Sequence, residues 1–383
     1  MTKPSTSFTI LGGGIVGLTT ALALQKIGIR ASVFEAAPVS KPLGAGLALA
    51  ANAIKAFQRL GIADEVVQAG RLLDAFTIYD QHGRVVTRTD SRVISQKYGL
   101  DNFSIHRAAL HQVLLHQLDN GVVHMGKRGI QINQQPDKVI IQFDDDTTHE
   151  ADYLLVADGI HSPIRQQLMP DSKARYAGYT CWRAVVDATG LNLSEASETW
   201  GTAGRVGVVP LATNQLYWFA TQNAPANDSR MRARTPNDLL RQFDSYHSPI
   251  PDVIARTPDN ALIWNDICDL KPLARYAFDK VVLLGDAAHA TTPNLGQGAC
   301  QAIEDAVVLA DELAKGGTVP DAFKRFEQRR LKRTHIISKT SRRIGTVAQV
   351  ENKFLMMVRN GLFRLLPAKL NERQLEMLYQ VDF

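Results

Sequence analysis

The chain has only three cysteines, Cys181, Cys268 and Cys300, and no two of them form a CxxC pair. An odd number spaced so widely argues against a disulfide framework, a zinc site or a redox dithiol, and fits a reducing cytoplasm. No HExxH, Gly-x-Ser-x-Gly elbow or Walker loop occurs, and His111 and His116 miss the helical i, i+4 spacing. No metal site is therefore expected, and no nucleophilic serine. No apolar run is long enough to span a bilayer. Met1-Thr2-Lys3-Pro4 leads at once into a strand pattern, without an apolar signal core. Charged residues are 21% and apolar residues 45% of the 383, ordinary for a globular chain with a sizeable core in one large or two moderate domains. The net charge is +5, unevenly placed: residues 324–383 hold 14 Lys/Arg and 5 Asp/Glu. Such a basic tail could meet an acidic surface or membrane; the simpler reading is a solvated helix face. No nucleic-acid partner is expected.

What is present is a pair of glycine fingerprints at opposite ends of the chain. Phe8-Thr9-Ile10-Leu11 reads as a strand, Gly12, Gly14 and Gly17 follow with GxGxxG spacing, and an amphipathic helix runs to Gly28. Ala31-Ser32-Val33-Phe34 is the next strand, with Glu35 at its end, 18 residues beyond Gly17. That context turns a weak motif into a strong one. Gly12 permits the tight turn, the missing Cβ at Gly14 lets a pyrophosphate approach, and Gly17 lets helix and strand pack closely. The helix N-terminus offers free N–H groups to the phosphates. Glu35 is placed to accept from the adenosine ribose hydroxyls and would repel a 2′-phosphate, so NADP is not expected in this site. Val16 and Ala36 belong to the same expected contact set.

The second fingerprint follows the apolar strand at 280–284. It comprises Gly285-Asp286-Ala287-Ala288-His289, Pro293 and Gly296-Gln297-Gly298, and opens a helix that Gly316-Gly317 should end. Asp286 could hold a ribityl hydroxyl. The helix N-terminus, with Gly296, Gln297, Gly298 and Ala299, could stabilise negative charge on a flavin ring. Two fingerprints of different form point to one long cofactor held at both ends, and FAD is such a cofactor. Gly44-Ala45-Gly46 follows a loop and is a poor second dinucleotide site; its expected role is to let backbone at Leu47-Ala48 approach the flavin.

With these two motifs and Ala157-Asp158-Gly159, Ser162 and Arg165 between them, the chain resembles the single-component FAD-dependent aromatic monooxygenases over nearly its whole length. Within them it looks closest to urate hydroxylase, salicylate hydroxylase and zeaxanthin epoxidase types. The resemblance implies that Asp158 lies near the FAD and NAD(P)H regions. It also makes Arg107 a candidate contact to the FAD linker, against a helix-capping surface arginine. Many relatives have Asn where Cys300 stands; the thiol is expected to pack under the flavin loop and not to act as a nucleophile. His289 reads as structural.

The expected fold is α/β: a Rossmann-type FAD-binding domain at 1–72, 101–174 and 276–320, an inserted, mostly antiparallel substrate sheet at 73–100 and 175–275, and C-terminal helices at 321–383. Strands are expected at 76–79, 85–86, 206–209 and 216–220. The substrate contacts suggested are Arg205, which matches a substrate arginine of urate-hydroxylating relatives or else has a structural or solvent role, Tyr217 and Pro293. Trp182 and Arg183 read equally as sheet packing. The tail, with Phe354-Leu355-Met356-Met357 and Leu362-Phe363-Arg364-Leu365-Leu366-Pro367, is expected to pack on its own domain or on a partner subunit, as in a homodimer, rather than on a membrane. The implied activity is NAD(P)H- and O₂-dependent hydroxylation or epoxidation of a small electron-rich, aromatic or heteroaromatic substrate through a flavin hydroperoxide, with NAD(P)H a transient visitor. The alternatives are another FAD oxidoreductase of the superfamily, or a flavin-bound regulatory protein without turnover.

Overall fold

The computed structural model describes residues 6–39, 45–91, 96, 103–365, 376–381 and 383. Gly44 and the Leu366-Pro367 pair, singled out above, lie outside the described residues. A six-stranded sheet forms the first layer, in the order Ala277–Phe278, Val281–Leu283, Tyr153–Val156, Phe8–Leu11, Ala31–Glu35, Val123–Met125. All its pairings are parallel except the one between the two strands nearest 280. Runs such as Phe-Thr-Ile-Leu and Val-Val-Leu are buried on both faces, as a covered parallel sheet requires. Helix Ile15–Lys26 is buried along its first ten residues, Ile15 to Leu24, and packs against helix Gly298–Ala314. Its buried Thr19 and Thr20 hydroxyls donate to the Ile15 and Val16 carbonyls one turn back, which leaves no orphan donor. Helix Gly298–Ala314 stops before Gly316 and Gly317, whose φ values are +76° and +88°.

The second layer is a seven-stranded sheet in the order Ile263–Asp269, Arg175–Asp187, Gln215–Asn223, Gly204–Pro210, Ala196–Gly201, Ala75–Asp80, Val85–Asp90. Only the Ala196–Gly201 and Ala75–Asp80 pairing is parallel. One face carries Trp182, Ala184, Val206, Val208, Leu216 and Trp218 into a core closed by helices Pro236–Phe243 and Ile250–Ala255. The other face carries the alternate residues and turns toward a small sheet of Gly46–Leu49, Phe103–His106 and Gly70–Leu72. The closest approach is at Gly46, where a Cβ would stand 2.7 Å from Tyr217 Cβ. The α/β class with an inserted, mostly antiparallel sheet and C-terminal helices is the architecture observed.

The C-terminal helices correct one expectation. The basic residues of helix Val319–Ala348 are not mainly a solvated face. Arg325 and Arg329 pair with the buried Glu312, Arg330 and Arg333 with the buried Glu304, and Arg342 with the buried Asp269. Helix Lys353–Leu365 turns Met356, Arg359 and Asn360 inward, and its Arg364 reaches Asp80. Arg359 stacks over Trp200 at 4.5 Å. Among the described residues, no helix is long and apolar enough to cross a membrane.

Candidate active site

The first glycine turn is shaped by close contacts on every side but one. A Cβ at Gly12 (φ +104°) would lie 2.3 Å from the Ala157 carbonyl oxygen, and one at Gly17 would lie 1.8 Å from the Gly12 oxygen. At Gly14 a Cβ would meet nothing within 4 Å, so the backbone there faces open space just before the helix N-terminus. Glu35 fixes the turn: Oε2 accepts from Gly13 N–H at 2.6 Å and Oε1 from Ala37 N–H at 2.8 Å, across the half-buried Ala36. The Gly13 carbonyl is held in turn by His111 Nε2–H at 2.8 Å. Nothing in the sequence marked His111 for this task; its neighbour Arg107 opens the same helix and is exposed.

The second turn is built on a buried ion cluster. Asp305 accepts from Gly285 N–H at 2.8 Å, from His289 Nε2–H at 2.6 Å and from Arg330 Nε–H at 2.7 Å. Burial pushes the Asp305 carboxyl up, but His289 and Arg330 together pull it further down, to below the usual range. Glu304, beside it, accepts from Asn52, Gln301, Arg330 and Arg333. Gln297 turns its side-chain oxygen into this cluster, where it accepts from Asn52 and Gln301. Val16 is buried, and its Cγ1 would stand 3.0 Å from a Cβ at Gly285; the two fingerprints are packed directly together.

Asp286 is solvent-accessible, yet protein surrounds it so densely that burial raises its carboxyl above the usual range, against the pull of His289 and Arg107. Gly296, at φ +63°, has nothing within 4 Å of a Cβ, and Gly298 has only Thr291 Cγ2 at 3.8 Å. Ala299 is half-buried in the first helical turn, and Ala48 is exposed on its strand. Cys300 is fully buried, takes the Ala50 N–H at 3.5 Å, and is pushed up to about 12 by burial. A thiol so far from ionisation is no nucleophile.

Between the fingerprints, Arg165 is fully buried and donates to the carbonyls of Ile160, Ser172 and Ala287, tying the central motif to the second turn. Both Asp158 carboxylate oxygens are buried and make no hydrogen bond of good geometry, and burial raises the carboxyl to about 6 against the pull of the nearby Ser162 hydroxyl and its own backbone N–H. A buried carboxylate without a well-formed partner, its Cα close to the Gly12 turn, suits a site that takes hydroxyl donors from a ligand.

On the sheet, the two neighbouring residues Trp182 and Arg183 part company. Trp182 is fully buried in the outer core, its Nε1–H on the Met231 carbonyl. Arg183 lies opposite Phe219, on the face shared by Cys181 and Tyr217. Arg205, 4% exposed, has a different surrounding. It donates to Thr221 and Gln349 from Nε, to Glu198 from Nη1 and to Asn294 from Nη2, and stacks on Tyr179 at 5.5 Å. It joins the sheet, the turn after Pro293 and the end of the long helix. Pro293 itself is exposed at the start of that turn. The roles of His111, Asn52 and Arg330 were not read from sequence.

The sequence model of the family described as FAD binding domain matches residues 5–339. The chain is 39% identical to the aurachin C monooxygenase/isomerase of Stigmatella aurantiaca, covering 95% of each chain. It is 32% identical to the 2-heptyl-3-hydroxy-4(1H)-quinolone synthase of Pseudomonas aeruginosa, covering 97% of each. Klebsiella pneumoniae HpxO, crystallised with FAD and uric acid, superposes with a TM-score of 0.91 at 27% identity over 97% of this chain and 96% of its own.

Proposed function

Since the chain belongs to the FAD-binding-domain family of flavin monooxygenases, we propose that it uses NAD(P)H and O₂ to hydroxylate or epoxidise a small heteroaromatic substrate carrying a ring oxygen, with 4(1H)-quinolones the first choice. FAD is its cofactor, and the residues fit that group. Open backbone at Gly14, Gly296 and Gly298 would take the pyrophosphate and the ring edge, and the carboxylates of Asp158 and Asp286 would take hydroxyl donors. In this reading Gly12 and Gly17 shape the turn with Val16 behind it, Glu35 and Ala36 lie at the ribose, and Arg107 at the linker. Ala48, Gln297 and Ala299 offer backbone to the flavin. When bound, FAD supplies the two-electron chemistry that activates O₂.

The chain's own tasks are binding, orientation and charge placement. The N-terminus of helix Gly298–Ala314 favours negative charge at the flavin ring. The sheet face of Tyr217 and Phe219 orients a flat ring and keeps water from it. The observation that carries the reading is this aromatic face set against the strand Gly46–Leu49, with Tyr217 packed on Gly46. The quinolone choice leans on one relative's name, and uric acid beside FAD in HpxO supports an oxygenated heterocycle more broadly. The test is turnover of 4(1H)-quinolones, urate and salicylate under ¹⁸O₂ with catalase, followed by mass spectrometry. One labelled oxygen atom in a product supports the reading. Stoichiometric peroxide with every accepted substrate, read on an oxygen electrode as the oxygen that catalase returns, and no label in any product would move the protein to the oxidase class.

A further inference from the structure

We propose that Arg183, and not Arg205, is the guanidinium that receives the ring oxygen of the substrate, and so selects flat heterocycles bearing a phenolate-like or vinylogous carbonyl oxygen. This rests on the heteroaromatic reading above and narrows it to one side chain. The register places Arg183 directly across from Phe219, with Val185 opposite Tyr217 one step along. Cross-strand partners share a face, so Arg183, Phe219 and Tyr217 project together toward Gly46–Leu49. The two aromatic rings lie 6.1 Å apart at 38°, a floor for a planar ligand beside the guanidinium.

Among the described residues, no acid answers the charge of Arg183. Its Nε is buried without a hydrogen-bond partner. The polar groups that act on it are the Cys181 thiol and the Tyr217 hydroxyl. Burial pushes both of those up, so both are neutral, and no carboxylate among the described residues pairs with the arginine. A half-buried guanidinium lacking an anion is costly unless a ligand supplies one. Its planar fork suits an oxyanion or a strongly polarised carbonyl better than any other side chain. Arg205, two strands away, is the opposite case: every nitrogen already donates to Thr221, Gln349, Glu198 or Asn294. Arg183 would also favour the deprotonated form of such an oxygen, the electron-rich form that oxygenation needs.

The test compares two probes that differ by that oxygen alone, 4-hydroxyquinoline and quinoline, titrated into FAD-loaded enzyme and followed by perturbation of the flavin absorbance. The parent should prefer 4-hydroxyquinoline by about tenfold or more, the range for a hydrogen bond to a charged group. Arg183→Met should bring the two probes within about threefold of each other, while Arg183→Lys keeps part of the preference. FAD content and unfolding temperature, measured on both variants, show whether the fold is intact, and the lysine variant serves if the methionine one does not fold. Preference undiminished in Arg183→Met, or absent in the parent, overturns the proposal. The ¹⁸O₂ experiment reads separately: an oxygen preference that depends on Arg183, without label in product, keeps the oxygen site and removes the monooxygenase reading. Label in product with a preference indifferent to Arg183 does the reverse.

Discussion

The Asp305 carboxylate accepts the Gly285 backbone N–H at 2.8 Å, so the helix after the second fingerprint holds the turn that opens it. The same carboxylate binds Arg330 from the long C-terminal helix, and the turn, the helix and the tail are thereby fastened at one point. The consequence for stability is direct. Asp305→Asn leaves Arg330 short of one charge in a fully buried site and should destabilise the protein by about 3–5 kcal/mol. Urea unfolding monitored by tryptophan fluorescence measures it, and FAD content should fall in parallel. A loss below about 1 kcal/mol would mean that the cluster is not what holds the turn.

Asp158 gives a pH signature. Its folded-state carboxyl sits at about 6 against an ordinary 3.8, raised by burial. A raised pKa favours the folded state below the unfolded value, and that contribution is lost as pH rises through the folded one. Between pH 4 and pH 8 the loss is about 2.4 kcal/mol for a shift of this size. In FAD-stripped protein, the stability of the parent minus that of Asp158→Asn should therefore fall by roughly this amount across the interval. Denaturant titrations at four pH values check it; a constant difference would show that the carboxyl ionises normally.

Gly14 and Gly17 should separate binding from folding. At Gly17 a Cβ would stand 1.8 Å from the Gly12 oxygen, so Gly17→Ala should distort the turn and cost several-fold more stability than Gly14→Ala. At Gly14 a Cβ meets no protein atom, and Gly14→Ala should leave FAD-free unfolding within about 1 kcal/mol of the parent. Its FAD affinity should fall on the order of tenfold, because the methyl group occupies the approach of the pyrophosphate. Equal FAD affinity in Gly14→Ala and the parent would move the phosphates elsewhere.

Arg205→Gln should behave as a structural lesion. It leaves Glu198 without its buried partner and frees Gln349 and Asn294, so a loss of about 3–5 kcal/mol is expected. The quinoline pair should still be discriminated in the folded fraction. Lost discrimination with unchanged stability would return Arg205 to the substrate.

The glycine fingerprints, the strands around them, the helix from Gly298 and its stop at Gly316 were legible because their causes are local. A turn that admits no Cβ, or a φ that only glycine tolerates readily, is written into a few neighbouring residues. The sheet strands were legible for the same reason, through alternation. Trp182 and Arg183 read alike in the sequence, as sheet packing, because nothing local says which of them meets the flavin domain. His111 gave no signal, since its partner Gly13 is 98 residues away.

Sequence alone therefore determined the cofactor motifs and the α/β class of this protein. Tertiary structure decided which arginines are engaged. Arg205 and Arg183 look alike as residues in strands, and both could have faced a ligand. Arg205 is tied to Asn294, 89 residues on, and to Gln349, 144 residues on, while Arg183 meets neutral Cys181 and Tyr217 among the described residues. A guanidinium's role depends on whether an acceptor lies within about 3 Å of it, and chain distance says nothing about that until the fold has closed.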